Sequence, residues 1–163
     1  MGVSYLPTRL EDMVSKLFIH LNIIHPDDLN EENICHQLDI FLLAEPSKAY
    51  SYQSDLFKSI TIDTRMSQKA QRETFYHELC HILIHVGKQK DMPLLFRELQ
   101  ERDARVFTKY AAIPYHMIRF IDWDHPYLVE YVSDLFKITK LLTESRLLNI
   151  KNKILCHERG MII

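Results

Sequence analysis

Residues 67–87 read S-Q-K-A-Q-R-E-T-F-Y-H-E-L-C-H-I-L-I-H-V-G, and this stretch decides both the fold and the site. Ser67 is expected to cap a helix here, and Gly87 to close it in a left-handed conformation. On a wheel of about 100° per residue, Phe75, Leu79, Ile82, Leu83 and Val86 form one apolar arc that should pack on a sheet. His77, Glu78, His81 and His85 fall on a different arc. A core histidine belongs within the apolar stripe, and these lie outside it. His77 and His81 are one turn apart on one face, where both imidazoles can reach a single metal ion. Glu78, directly after the first histidine, falls close enough to polarise a water on that metal.

Working outward, Leu10–Ile24 has apolar residues at helical spacing, and His25-Pro26-Asp27-Asp28 interrupts it. Asn30–Leu38 forms a second, short helix leading into Ile40-Phe41-Leu42-Leu43, an expected buried strand. Ala49–Gln53 and Lys58–Asp63 are further strands, with a turn at Ser54-Asp55. Ser59-Ile60-Thr61-Ile62-Asp63 alternates polar and apolar, as a strand with one buried face should. Beyond the histidine helix, Lys88–Pro93 is a loop. Leu94–Ile113 is a helix that stops at Pro114. Pro126–Phe136 and Thr139–Leu155 are helical. The outline is a mainly helical α+β domain with a small antiparallel or mixed sheet packed on the H-E-x-x-H helix.

A chain of 163 residues makes one domain, 1–163, with a real core. Its 47% apolar and 26% charged residues are those of an ordinary globular protein. A net charge of −2 supplies no global attraction to nucleic acid or anionic membrane. Cys35, Cys80 and Cys156 are odd in number and show no C-x-x-C pairing, which fits a reducing compartment rather than a disulfide framework. No signal peptide is evident, and no apolar run reaches the roughly 18 residues a membrane span needs. A cytoplasmic protein is expected.

A catalytic zinc takes three protein ligands and keeps one position open. Candidates for the third are His85, Glu98, Glu101 and Asp103. His85 lies a further turn along the same straight helix, too far along its axis for direct ligation. Glu98 and Glu101 are on the polar side of the next helix, whereas Asp103 projects into its apolar arc beside Leu99 and Tyr110. Amphipathicity alone therefore favours Asp103, and the residue pattern leaves the choice open.

The run His77-Glu78-Leu79-Cys80-His81, then Glu101-Arg102-Asp103-Ala104-Arg105-Val106-Phe107, then Ala111-Ala112-Ile113-Pro114 resembles the ImmA/IrrE family of zinc metallopeptidases. That family, associated with phages, mobile elements and stress-responsive repressors, shows H-E-L-G-H and then a helix reading E-x-x-A-x-x-F-A and ending L-L-x-P. The resemblance covers residues 30–114, the expected zincin core, and leaves 115–163 as a C-terminal helical segment. It implies that Glu101 joins His77 and His81 as a zinc ligand, with Glu78 as the general base. Cys80 stands where Gly is usual, Arg105 where Asn is common and Thr108 where Ala is, and Ala112-Ile113 replaces Leu-Met. None of these departures removes a ligand or the base. Cys80 and Tyr76 read as packing residues. Tyr115, His116 and His85 are candidate donors to the carbonyl oxygen. A peptide substrate would add to a sheet edge, with Lys58–Asp63 expected as that edge.

Asp122-Trp123-Asp124-His125 reads as a turn before Pro126, with an Asp capping the next helix, in preference to a second metal site. From Lys137 onward the chain is locally basic and reads as a solvated helical face. The implied function is a zinc endopeptidase cleaving a specific cytoplasmic protein such as a helix-turn-helix repressor. The competing reading is a non-proteolytic regulatory or binding module that retains the fold. A third, a DNA-associated regulator using the basic helices, is weaker, and direct nucleic-acid binding is not expected. Oligomeric state is left open.

Overall fold

Capping side chains start most of the helices where the sequence places them. The computed structural model describes residues 5–84 and 93–160. Among them are α1 (Arg9–His20), α2 (Glu31–Gln37), β1 (Ile40–Glu45), β2 (Tyr50–Gln53), β3 (Lys58–Asp63), α3 (Gln68–Leu83), α4 (Leu94–Ala112), α5 (Leu128–Phe136) and α6 (Lys140–Glu158). Thr8, Asn30, Ser67 and Thr139 each accept a backbone N–H from the first turn of α1, α2, α3 and α6. The result is a mainly helical α+β fold with a three-stranded mixed sheet. The chain divides into two compact units, Asn30–Thr108 and Met1–Leu29 with Lys109–Ile163.

In the first unit the strand order is β1-β3-β2, with β1 parallel and β2 antiparallel to β3. β3 is therefore central, which corrects its expected position at the sheet edge. Its alternation suggested a solvated face, yet Ser59, Thr61 and Asp63 are buried. The register explains this: Ser59 lies between Phe41 and Tyr52, and Thr61 between Leu43 and Tyr50. Directly opposed residues share a face, so large neighbours on both sides cover the small ones. β1, expected to be buried, is an edge strand instead, with Phe41 60% exposed. A short apolar run cannot distinguish a strand covered on both faces from one covered on a single face.

The opposite face of the sheet carries Ile60 and Ser51 and packs on α3, while α2 packs on β1. Ser54 holds the β2–β3 turn by accepting the N–H groups of Leu56 and Phe57. Arg72 of α3 clamps Glu31 of α2 through two bonds of 2.7 and 3.1 Å, fixing the helix against its neighbour. Arg72, Phe75, Tyr76, Leu79, Cys80 and Ile82 are the buried residues of α3. The helix is described as far as Leu83 and Ile84, so Gly87 and His85 lie outside the described residues.

The second unit is built around a buried charge cluster. Glu11, fully buried, completes a capping box with Thr8 and also accepts from Arg146 at 2.5 Å, Lys153 at 2.6 Å and the Tyr5 hydroxyl at 2.5 Å. Arg146 is itself fully buried and donates to the Ile113 carbonyl and to Asn149. Burial pushes the Glu11 carboxyl up, but the Arg146 charge and the Lys153 and Tyr5 hydrogen bonds outweigh it and hold it below the usual range. Two residues of the basic C-terminal stretch thus serve the interior rather than a solvated face.

At 122–127 the expected turn is present, but no Asp caps α5. Its cap residue is Tyr127, whose N–H donates to His125 Nδ1 at 3.1 Å. These residues form no metal donor set among the described residues.

Candidate metal centre

α3 carries His77 and His81 one turn apart, and α4 carries Glu101. The ligand atoms of these three residues lie within 4.8 Å of one another, the one such group among the described residues. His77 Nε2 stands 3.2 Å from His81 Nε2, 3.1 Å from Glu101 Oε2, and His81 Nε2 stands 3.3 Å from Glu101 Oε1. Metal bonds of about 2.0–2.1 Å put the corners of a tetrahedral zinc site about 3.3 Å apart. The two histidine nitrogens stand at about that spacing, each faces a different oxygen of the Glu101 carboxylate at a similar distance, and two imidazoles with one carboxylate are the donor chemistry zinc takes. The residues fit the ion. The side chains are 26%, 10% and 39% exposed, so the set is open on one side, as a catalytic rather than a closed structural site requires.

The other candidates stand apart from this set. Glu98 lies on α4 in an open cleft of about 380 Å³ lined also by Leu94, Arg97, Glu101 and Arg105. Asp103 has a side chain 43% exposed rather than set in a buried arc, and it faces Arg102 at 4.0 Å. The α4 residues that are buried in this unit are Ala104, Phe107 and Thr108. Amphipathicity favours Asp103, whereas the group that gathers beside the histidines contains Glu101, on the polar margin of its helix.

Cys80 is fully buried, and burial, with the nearby charges of Asp103 and Glu101, pushes its thiol up to about 12. Tyr76 is also buried, which raises its phenol above the ordinary range. Both pack rather than react. Tyr115 and His116 are committed within their own unit. Tyr115 donates to the Tyr5 carbonyl at 2.8 Å, while His116 engages Ser15 through Nδ1 at 2.9 Å and the Ile23 carbonyl through Nε2 at 3.0 Å. Neither is free to serve a substrate oxygen.

One residue at the site escaped the sequence reading. Ser51 of β2 donates its hydroxyl to Glu78 Oε2 at 2.8 Å. The available signal was alternation: in Tyr50-Ser51-Tyr52 the small hydroxyl faces away from two half-exposed aromatics.

Two histidines on one helix, a carboxylate from the next and a sheet laid against the first helix define a zincin-like metallopeptidase fold. Residues 35–148 match the family described as peptidase M78, IrrE N-terminal-like domain, and the chain belongs to that ImmA/IrrE family. It is 31% identical over 157 residues to the uncharacterized protein YqaB of Bacillus subtilis (strain 168), covering 94% of this chain and 90% of the relative. It is 32% identical over 143 residues to the phage-like element PBSX protein XkdA of the same organism, covering 86% of this chain and 72% of the relative. No helix among the described residues is long and apolar enough to cross a membrane.

Proposed function

We propose that the protein is a zinc-dependent endopeptidase that acts in the cytoplasm on a specific protein, a helix-turn-helix repressor of a mobile element. His77, His81 and Glu101 hold the ion, which when bound supplies a Lewis acid and an activated water. Glu78, set outside the donor triangle, takes a proton from the attacking water and passes it to the leaving amine. The observation that carries this reading is the convergence of His77, His81 and Glu101, whose ligand atoms lie within 4.8 Å of one another, with a glutamate next to His77 in the chain. The substrate segment adds along the open edge of β2, the edge strand whose Ser51 touches Glu78. The repressor as substrate is supported by the resemblance and by a relative named for a phage-like element.

The test combines metal analysis with a Glu78→Gln variant. Both forms should bind about one zinc per chain. Cleavage of the repressor encoded beside the gene should be seen in the unaltered protein and lost in the variant. An unaltered protein that carries its native metal and leaves that repressor intact would favour the non-proteolytic regulatory reading.

A further inference from the structure

We propose that Ser51 is the positioning residue for the Glu78 general base, a role that rests on the peptidase reading of this site. A glutamate side chain on a helix has three rotatable bonds, and Glu78 is only half-buried. A general base must present one carboxylate oxygen to the water it deprotonates. Ser51 engages Oε2 at 2.8 Å, and no other hydrogen bond reaches the Glu78 carboxylate among the described residues. Oε1 is left open for the proton, and the carboxylate plane is fixed.

The sheet holds Ser51 to this task. Its backbone is paired opposite Ile60 of the central strand, and Ile60 is fully buried. Tyr50 and Tyr52 point to the other face, so alternation sends Ser51 towards α3. β2 is also an edge of the sheet, with its outer side open to a further strand. A segment laid along that edge stiffens the strand that carries Ser51.

Two measurements test the assignment. In the metal-free full chain, melting temperatures of Ser51→Ala, Glu78→Ala and the double variant report the contact without any substrate. A double variant no less stable than the weaker single is expected, and additive losses would overturn the proposal. In the zinc-loaded protein acting on the repressor, Ser51→Ala should lower kcat about tenfold, a part of the 10²–10⁴ that general acid–base catalysis contributes. KM should change less than about twofold, because the Ser51 side chain faces Glu78 and the backbone of the edge strand is unaltered. Zinc content should be unchanged, and Ser51→Thr, which keeps the hydroxyl, should restore kcat. A loss confined to KM, or one that Thr fails to rescue, would remove the positioning role. If the unaltered protein cuts nothing, the peptidase reading and the catalytic role fall together, while coupled melting would still establish the contact.

Discussion

Arg146→Met should be among the most damaging single changes in this chain. The guanidinium is fully buried and meets Glu11 at 2.5 Å and the Ile113 carbonyl at 3.0 and 3.2 Å. Methionine fills most of the volume, so the loss is electrostatic rather than a cavity. Breaking one side of a buried ion pair costs about 3–5 kcal/mol, because the remaining charge stays out of water. Lys153 still reaches Glu11 at 2.6 Å, which puts the expected loss at the lower end, about 3 kcal/mol. For a chain of this size that lowers Tm by roughly 6–12 °C. Urea unfolding at pH 7 should read the loss, and a Glu11→Gln/Arg146→Met/Lys153→Met triple variant, which leaves no charge of the cluster unpaired, should recover most of it. The pH dependence carries a sign. In the unaltered protein Glu11 lies below its ordinary 4.5, so its contribution is present above that value and is lost as pH falls through the depressed one. In the variant the Arg146 charge no longer lowers that carboxyl, so it takes up its proton at a higher pH and the stability gap should narrow as pH falls through the carboxylate range. A single variant costing under about 1 kcal/mol, or a triple variant no better than the single, would refute the cluster's role.

Other outcomes follow from the same geometry. Chelating the metal should lower Tm; at free zinc a hundredfold above Kd the linkage is about 2.7 kcal/mol, and an unchanged melting curve would count against the site. Glu101→Ala should abolish most of that zinc-dependent shift while Asp103→Ala retains it, and the reverse result would move the third ligand to Asp103. In the native protein a thiol reagent at pH 8 should modify Cys156, which is partly exposed, and spare Cys35 and Cys80, whose thiols burial pushes up to about 12. Rapid labelling of Cys80 would show that the core behind the metal helix opens. Cys80→Ala should leave zinc content unchanged.

Local signals carried much of the fold. Ser67, Asn30 and Thr139 announce helices through chemistry confined to one turn, and His77, Glu78 and His81 share a face because they share a helix. The errors lie where a property depends on distant partners. The place of β3 at an edge rests on resemblance and position alone, its alternation reads as one solvated face, and only the register with Phe41 and Tyr52 shows what covers it. Arg146 was read as part of a solvated basic face because its counter-ion is 135 residues away. Ser51 meets Glu78 across a sheet-to-helix contact that no periodicity encodes. The proximity of Glu101 to the histidines agrees with the family spacing, whereas amphipathicity pointed to Asp103.

The bond between Glu11 and Arg146 also bears on the order of assembly during synthesis. The unit Asn30–Thr108 is continuous, so its sheet, both histidines and Glu101 are available once Thr108 has left the ribosome. The other unit is split around it and must wait for Arg146 and Lys153 before Glu11 finds its partners. Until then Glu11 has only water, the Tyr5 hydroxyl and its own helix turn to satisfy it. Contacts of such long sequence separation close slowly, because loop entropy is lost before any bond is gained. The histidine–glutamate group is thus the early product of translation, and the ion cluster the late one.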